Sequence, residues 1–460
     1  MIRYHARWVL PIARPALRDA TVVVEGGRIA WVGARAEAPP GHDVELGEVI
    51  LMPGLVNVHT HLELTAMRGF LEELDFAEWI IRLAAAKRRA LSRDDLLDAA
   101  RLGLVEGLHA GITTYADTCD SGVAFDAMLE VGVRGIMYQE VFGPDPAHCG
   151  SSLAELRAKL ALLRPRETPL VTVGISPHAP YTVSDALFAG CAALARDERL
   201  PMAVHVAEGL HESHLVERAA GIFADGLRKR GLSLAPRARS PVALLERTGV
   251  LGVAPLLIHC VRVDGADIAL MRDANAAVAH CPASNARLGH GIAPLREMLD
   301  AGLRVGLGSD SVASNNRMDL LEEARLASLF QGARTQRAHA LPAREALALA
   351  TLGGARALGL ADRIGTLEAG KEADLAAFAI DRAHAVPVQE PEVAALHALR
   401  GSDAVFVAVA GEVRVRDGVL AGADPGLPAR VQGAADRMAT WLAQRLRSHG
   451  RVTPPPSATR

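Results

Sequence analysis

Two histidines, His59 and His61, stand two residues apart in the stretch VNVHTHLE, directly after the turn signal Pro53-Gly54. Side chains alternate faces along a strand, so both imidazoles point to one side, where they can grip one metal ion. The pair alone also fits two hydrogen-bonded histidines, and the rest of the chain has to decide.

Eight short apolar runs alternate with helical patterns through the middle of the chain: LMPGLVNVH, GITTYADT, VRGIMYQEV, LVTVGISPH, PMAVHVAE, PLLIHC, NAAVAHCP and RVGLGSDS. Segments between them, such as RDDLLDAARLGLVEGLH, space apolar residues as a helix does, with charges between. Eight strand-helix units imply a parallel (β/α)8 barrel, whose site lies at the C-terminal ends of the strands. Those ends carry His59 and His61, then His178, His205 with Glu208, His259, His280 and Asp310. With 17 histidines in the chain, so many at converging strand ends favour a metal centre over chance pairing.

The first fifty residues and the stretch near 372–420 read instead as short strands with turns at Gly26-Gly27, near Gly411 and at Asp417-Gly418. The expected organisation is an α/β chain: a composite small β-sandwich from 1–52 and 365–425, a barrel from 53–364, and a C-terminal helix with a flexible tail over 426–460. The Pro-rich end supports the tail. Fifty basic against 53 acidic residues leave a net charge of -3, with no block of lysine and arginine of the kind that tracks phosphates, so nucleic acid is not an expected partner. No run of 18 uncharged apolar residues and no signal-peptide pattern occur, which points to a soluble, cytoplasmic protein without a membrane partner. Five cysteines without CxxC spacing argue for free thiols.

The pieces PGLVNVHTH, SPHAPYT, HVAE, HC, HCPASNARL and GLGSDSVASNN, in this order from 53 to 316, resemble the metal-dependent amidohydrolase superfamily, specifically its aminohydrolase (deaminase) branch. ADRIGTLEAGKEADLAAF at 361–378 resembles the segment by which such enzymes re-enter their small β-sandwich. The resemblance implies His59, His61, His205 and Asp310 as metal ligands, Glu208, His259 and Asp310 as catalytic residues, and His178 and Tyr181 beside the substrate. One divalent ion is implied, zinc or alternatively iron, because the four lysines (Lys87, Lys159, Lys229, Lys371) sit in helical or turn contexts and none is placed to bridge two metals. Such a donor set can lower the pKa of a bound water to about 7, so that hydroxide attacks an amidine carbon while Glu208 moves a proton to the ring nitrogen. The remaining histidines, His290 among them, have no partner spacing and are left outside the site.

The substrate implied is a small purine-nucleoside-like molecule. After HTH the chain keeps Arg68-Gly69 but lacks the Trp-Pro-x-Glu element of thiomethyl-adenosine and adenosylhomocysteine deaminases, and Glu63 replaces an apolar residue. HTHLE, Trp79 and the long insertion HVAEGLHESHLVERAAGIFADGLRKRG look more like 6-aminodeoxyfutalosine deaminases of menaquinone biosynthesis. Glu63 then binds substrate or orients a ligand histidine. The alternatives are an adenosylhomocysteine or thiomethyl-adenosine deaminase, a chlorotriazine or cyclic-amide hydrolase, and a catalytically dead scaffold. A homo-oligomer is compatible with the sequence.

Overall fold

The apolar, β-branched runs become strands because their residues pack on both faces of a buried sheet. In the computed structural model, which describes residues 1–448 and side chains through 445, the runs form two parallel quartets. Leu55–Thr60, Ile112–Cys119, Arg134–Val141 and Val171–Pro177 pair in that order. Ala203–Val206, Leu256–His259, Ala277–His280 and Arg304–Leu307 form the second quartet. Isolated parallel bridges link the quartets at both edges, Ile175 with Met202 and Thr60 with Asp310.

Alternate residues of these strands, among them Val56, Val58, Ile136, Tyr138, Ala203, Ile258 and Ala279, form one interior cluster. The opposite faces, such as Met137, Val204, Leu257 and Val278, join a larger core under the surrounding helices. The helices start where local chemistry says they should. Ser92 caps Arg93–His109 in a reciprocal pair with Asp95, and the helix buries Leu96, Ala99, Ala100, Leu104 and Leu108 at helical spacing.

Strands from both chain ends share one eight-stranded sheet, joined where His42–Pro53 pairs antiparallel with Leu375–Ala379. Tyr4 and Phe406 lie on strands with two others between them, about 14 Å apart in a flat sheet. Their ring centroids are nevertheless 5.0 Å apart, so the sheet folds over on itself around a core of its own. The strands of both chain ends thus form one continuous sheet whose two halves face each other. Buried Arg134, at the start of the third parallel strand, donates to both carboxylate oxygens of Asp374 at 2.9 and 2.8 Å, fastening this sheet to the parallel strands.

The expected C-terminal helix spans Leu427–Ser448. It buries Leu427, Val431 and Ala434 against Ala66 and Ala99, and carries Met438 into a cluster with Phe76, Trp79 and Leu83. The tail expected beyond it lies outside the described residues. Among the described residues no helix is long and apolar enough to cross a membrane, and all five cysteines are free.

Candidate active site

The C-terminal ends of the parallel strands bring His59, His61, His205, His259 and Asp310 together, and strict alternation does not explain all of it. Val56 and Val58 face the interior cluster, which would send His59 outward. Between Asn57 and Thr60, however, three steps on the first strand oppose two on the second, from Tyr115 to Asp117, and this irregularity turns His59 and His61 inward. His259 follows Ile258, an interior residue, and would likewise face out. Its left-handed φ of 74°, with 48° at Cys260, swings the imidazole into the site and leaves the Cys260 thiol in the outer core. Asp310 also holds a positive φ, 58°. Gly308 is obligatory beside it, since a Cβ there would lie 2.8 Å from His59 Cβ.

His59 Nε2 lies 3.1 Å and His61 Nε2 3.6 Å from Asp310 Oδ1. His61 donates Nδ1–H to the Thr118 carbonyl at 3.0 Å, and His205 donates Nδ1–H to the His178 carbonyl at 3.1 Å. Each ring has spent its only proton, yet their Nε2 atoms face each other at 3.2 Å. Two bare lone pairs at that distance repel, and a cation between them relieves the repulsion. The donor set therefore fits a metal ion: His59, His61 and His205, and likewise His59, His259 and Asp310, place ligand atoms within 4.8 Å of one another. Burial, followed by the neighbouring His59, pushes His61 down to about 3, so the ring is neutral as a ligand must be. Burial alone would raise Asp310, but His59, His259 and His61 hold it well below the usual carboxylate range.

Glu208 enters the same site from the turn after the fifth strand. Buried Glu212 accepts the backbone N–H groups of Ala207 at 2.8 Å and Glu208 at 2.9 Å, fixing that turn. Glu208 Oε1 lies 3.6 Å from His259 Nε2 and 3.2 Å from His290 Nε2, and Tyr181 donates its hydroxyl to Oε2 at 3.3 Å. Burial pushes the Glu208 carboxyl up, but His259 and His290 outweigh it and hold it below its usual range. His259 is oriented in turn by Asn285, whose Oδ1 lies 3.0 Å from Nδ1.

These groups open onto a cleft of about 310 Å³. His178 and Tyr181 line it, and Thr182 fixes His178 Nδ1 at 2.8 Å. An apolar wall comes from Leu64 and from Phe76, Trp79, Ile80 and Leu83 of the helix Phe76–Ala90. Glu63 also lines the cleft, but its oxygens are engaged by Lys87, Ser121 and Cys119, and Lys87 pairs with Asp120 as well.

Two expectations are corrected. His280, grouped with the converging strand ends, shares the face of Val278 away from the interior cluster and is absent from the cleft lining. His290, set aside for want of partner spacing, is buried at 7% exposure against Glu208. Its approach requires Gly209, where a Cβ would come within 2.7 Å of His290 Nδ1. Sequence reasoning also passed over Lys87, Asp120, Asn285 and Glu140; for Glu140 the signal was present, since it shares the interior face of Ile136 and Tyr138.

The sequence profile described as the amidohydrolase family matches residues 50–423. A curated relative named 5-methylthioadenosine/S-adenosylhomocysteine deaminase, from Moorella thermoacetica, is 31% identical over 89% of this chain and 93% of its own. An adenosine deaminase from Xanthomonas campestris with bound zinc superposes with a TM-score of 0.86 at 29% identity, covering 95% of this chain and 98% of its own. Atrazine chlorohydrolase from Arthrobacter aurescens, complexed with zinc, gives a TM-score of 0.80 at 26% identity, over 95% of this chain and all of its own (100%).

Proposed function

This chain belongs to the amidohydrolase family and is a hydrolase of carbon–nitrogen bonds, and on that premise we propose that it deaminates an adenine-type nucleoside. The observation that carries the reading is Glu208, an ionised carboxylate held between His259 and His290 beside a donor set that fits a metal ion. His59, His61, His205 and Asp310 would hold the ion, for which zinc is the first choice. When bound, the ion supplies a nucleophile from water at neutral pH.

The chain's own residues do the rest. Asp310, kept ionised, accepts the proton of the attacking water. Glu208 is a carboxylate at rest, so it takes up the water's other proton and delivers it to the ring nitrogen beside the attacked carbon, while Asp310 passes the proton it accepted to the departing amine. His259 presents Nε2 to the site because Asn285 engages Nδ1, and holds the nucleophile on its line of approach. His178 and Tyr181 hold the nucleoside, with Glu63 lining the cleft beside it through its pair with Lys87, and ammonia leaves. Bridges at both edges of the quartets support a closed (β/α)8 barrel over 53–364, and the shared end sheet supports a small composite domain of 1–52 and 365–425, with 426–460 appended.

The apolar wall of Phe76, Trp79 and Leu83 suits a nucleoside whose non-reacting portion is apolar or aromatic. The substrate read from HTHLE and its surroundings is 6-aminodeoxyfutalosine. A second reading, methylthioadenosine or adenosylhomocysteine, is favoured by the names of the curated relatives.

The test is ammonia release by zinc-loaded protein from 6-aminodeoxyfutalosine, methylthioadenosine, adenosylhomocysteine and adenosine, with chloride release from a chlorotriazine beside it. An adenine nucleoside should yield ammonia, and Glu208→Gln should lower kcat/KM by about 10²- to 10⁴-fold with metal content unchanged. Inert adenine nucleosides with metal bound, or chloride as the only product, overturn the reading.

A further inference from the structure

Glu140 sits at the C-terminal end of the third parallel strand, on the face that carries Ile136 and Tyr138 into the interior, and lines the cleft. It is 5% exposed, and its Oε1 is buried without a hydrogen-bond partner. Across the cleft His178 Nε2 is 4.0 Å from this oxygen, too far for a hydrogen bond. Buried carboxyl oxygens without a partner are rare because the lost hydration is not replaced, and a carboxyl group that lines a binding cleft can turn to be satisfied by what binds there.

Glu140, His178 and His205 also have ligand atoms within 4.8 Å of one another, so a second metal is the first alternative to weigh. His205 defeats it: Nδ1 donates to the His178 carbonyl, and Nε2 already faces His61. Glu140 and His178 alone leave only two ligands. A hydrogen-bond donor on an organic ligand remains. Lys87 is already paired with Glu63 and Asp120, so it does not satisfy Glu140 either, which leaves a donor on the ligand as the partner.

We propose that Glu140 is a substrate-recognition residue, whose free carboxyl oxygen accepts a hydrogen bond from a hydroxyl or protonated amine on the part of the nucleoside that is not hydrolysed. The inference rests on the deaminase reading for its choice of ligand. It gives the strand end a recognition role beside the proton-handling residues, and it predicts selection for substrates that bring a donor to that oxygen.

The experiment compares wild type, Glu140→Gln and Glu140→Leu, all zinc-loaded, on adenosine, its 2′-, 3′- and 5′-deoxy analogues and adenosylhomocysteine. kcat, KM and metal content are measured, together with nucleoside Kd by calorimetry. Glu140→Leu should raise KM and Kd about 10- to 100-fold for substrates that carry the donor, with kcat changed only a few-fold. Glu140→Gln, which keeps an acceptor oxygen, should recover most of the loss. If the donor is a hydroxyl, one deoxy analogue binds wild type and Glu140→Leu equally; if it is an amine, only adenosylhomocysteine feels the substitution. Equal losses on every ligand, a fall in kcat at constant KM, or two metal ions per chain dropping to one in Glu140→Leu would overturn the proposal. The Kd differences keep the two readings apart, since they persist if ammonia is never released and vanish if only the role of Glu140 is wrong.

Discussion

The two sides of the cleft are built differently. On the strand side, His61 and His205 anchor Nδ1 on a backbone carbonyl, His259 on Asn285, and Glu208 rides on a turn pinned by Glu212. On the other side, the helix Phe76–Ala90 presents Phe76, Trp79, Ile80 and Leu83, which are held by packing alone, with Met438 of the C-terminal helix behind them. Hydrogen bonds to a rigid backbone fix direction, whereas apolar packing fixes only volume. The strand side is therefore suited to chemistry and the helix side to choosing what enters, and substitutions should divide the same way, into kcat and KM.

The largest effect tests the strand side at its centre. Chelation of the metal, or His61→Ala, should abolish turnover, lowering kcat/KM by about 10³-fold or more, and zinc should restore the chelated wild type but not the variant. Metal analysis beside the rates checks it. Full turnover without bound metal would dissolve the distinction between the two sides, because the strand side would then have no chemistry of its own.

That side was also the more legible in the sequence. His59, His61, His178, His205, Glu208, His259 and Asp310 all fall at the ends of apolar runs, and the structure gathers all seven around the cleft. What strand ends could not disclose was orientation. His259 and His280 occupy like places in PLLIHC and NAAVAHCP, yet a left-handed φ turns the first inward and the second keeps the outer face. No local pattern announces that difference, because backbone torsion at a strand end is set by tertiary packing. His290 was invisible for another reason: 82 positions separate it from Glu208, and only the fold closes that distance. The wall was least legible, since an apolar helix facing a cleft reads in sequence like one facing a core.

A middle-sized effect is expected at His290, which belongs to the strand side by its contact with Glu208 and touches the wall through Phe76, whose ring lies 4.6 Å from its own, edge to face. His290→Ala should lower kcat by about 10- to 100-fold, the range for groups that orient a catalytic one. The acid limb of the pH profile supplies the sign. A carboxylate held below its usual range keeps its charge to low pH, and activity that needs the charge is lost as pH falls through its pKa. Removing His290 removes one of the two groups that depress Glu208, so its pKa rises and the acid limb of kcat/KM moves to higher pH. A rate loss with an unmoved limb would make His290 a packing residue.

The smallest effect probes the wall itself. Trp79 is 6% exposed and stacks on Phe76 with ring centroids 6.2 Å apart, with no hydrogen bond to any group of the strand side. Trp79→Ala removes roughly 50 Å² of contact with an apolar ligand portion, which at about 25 cal/mol per Å² corresponds to about tenfold in KM. kcat should stay within about twofold, because nothing that holds Glu208 or the metal ligands passes through the indole. Adenosine, with no extended apolar portion, should lose less than methylthioadenosine, and steady-state kinetics on the two substrates reads the difference directly. Phe76→Ala is the sharper companion, since Phe76 belongs to the wall and also packs on His290: it should raise KM as Trp79→Ala does and also lower kcat by loosening His290. If Trp79→Ala instead lowers kcat at constant KM, the wall takes part in chemistry, and the division between a side that reacts and a side that selects does not hold.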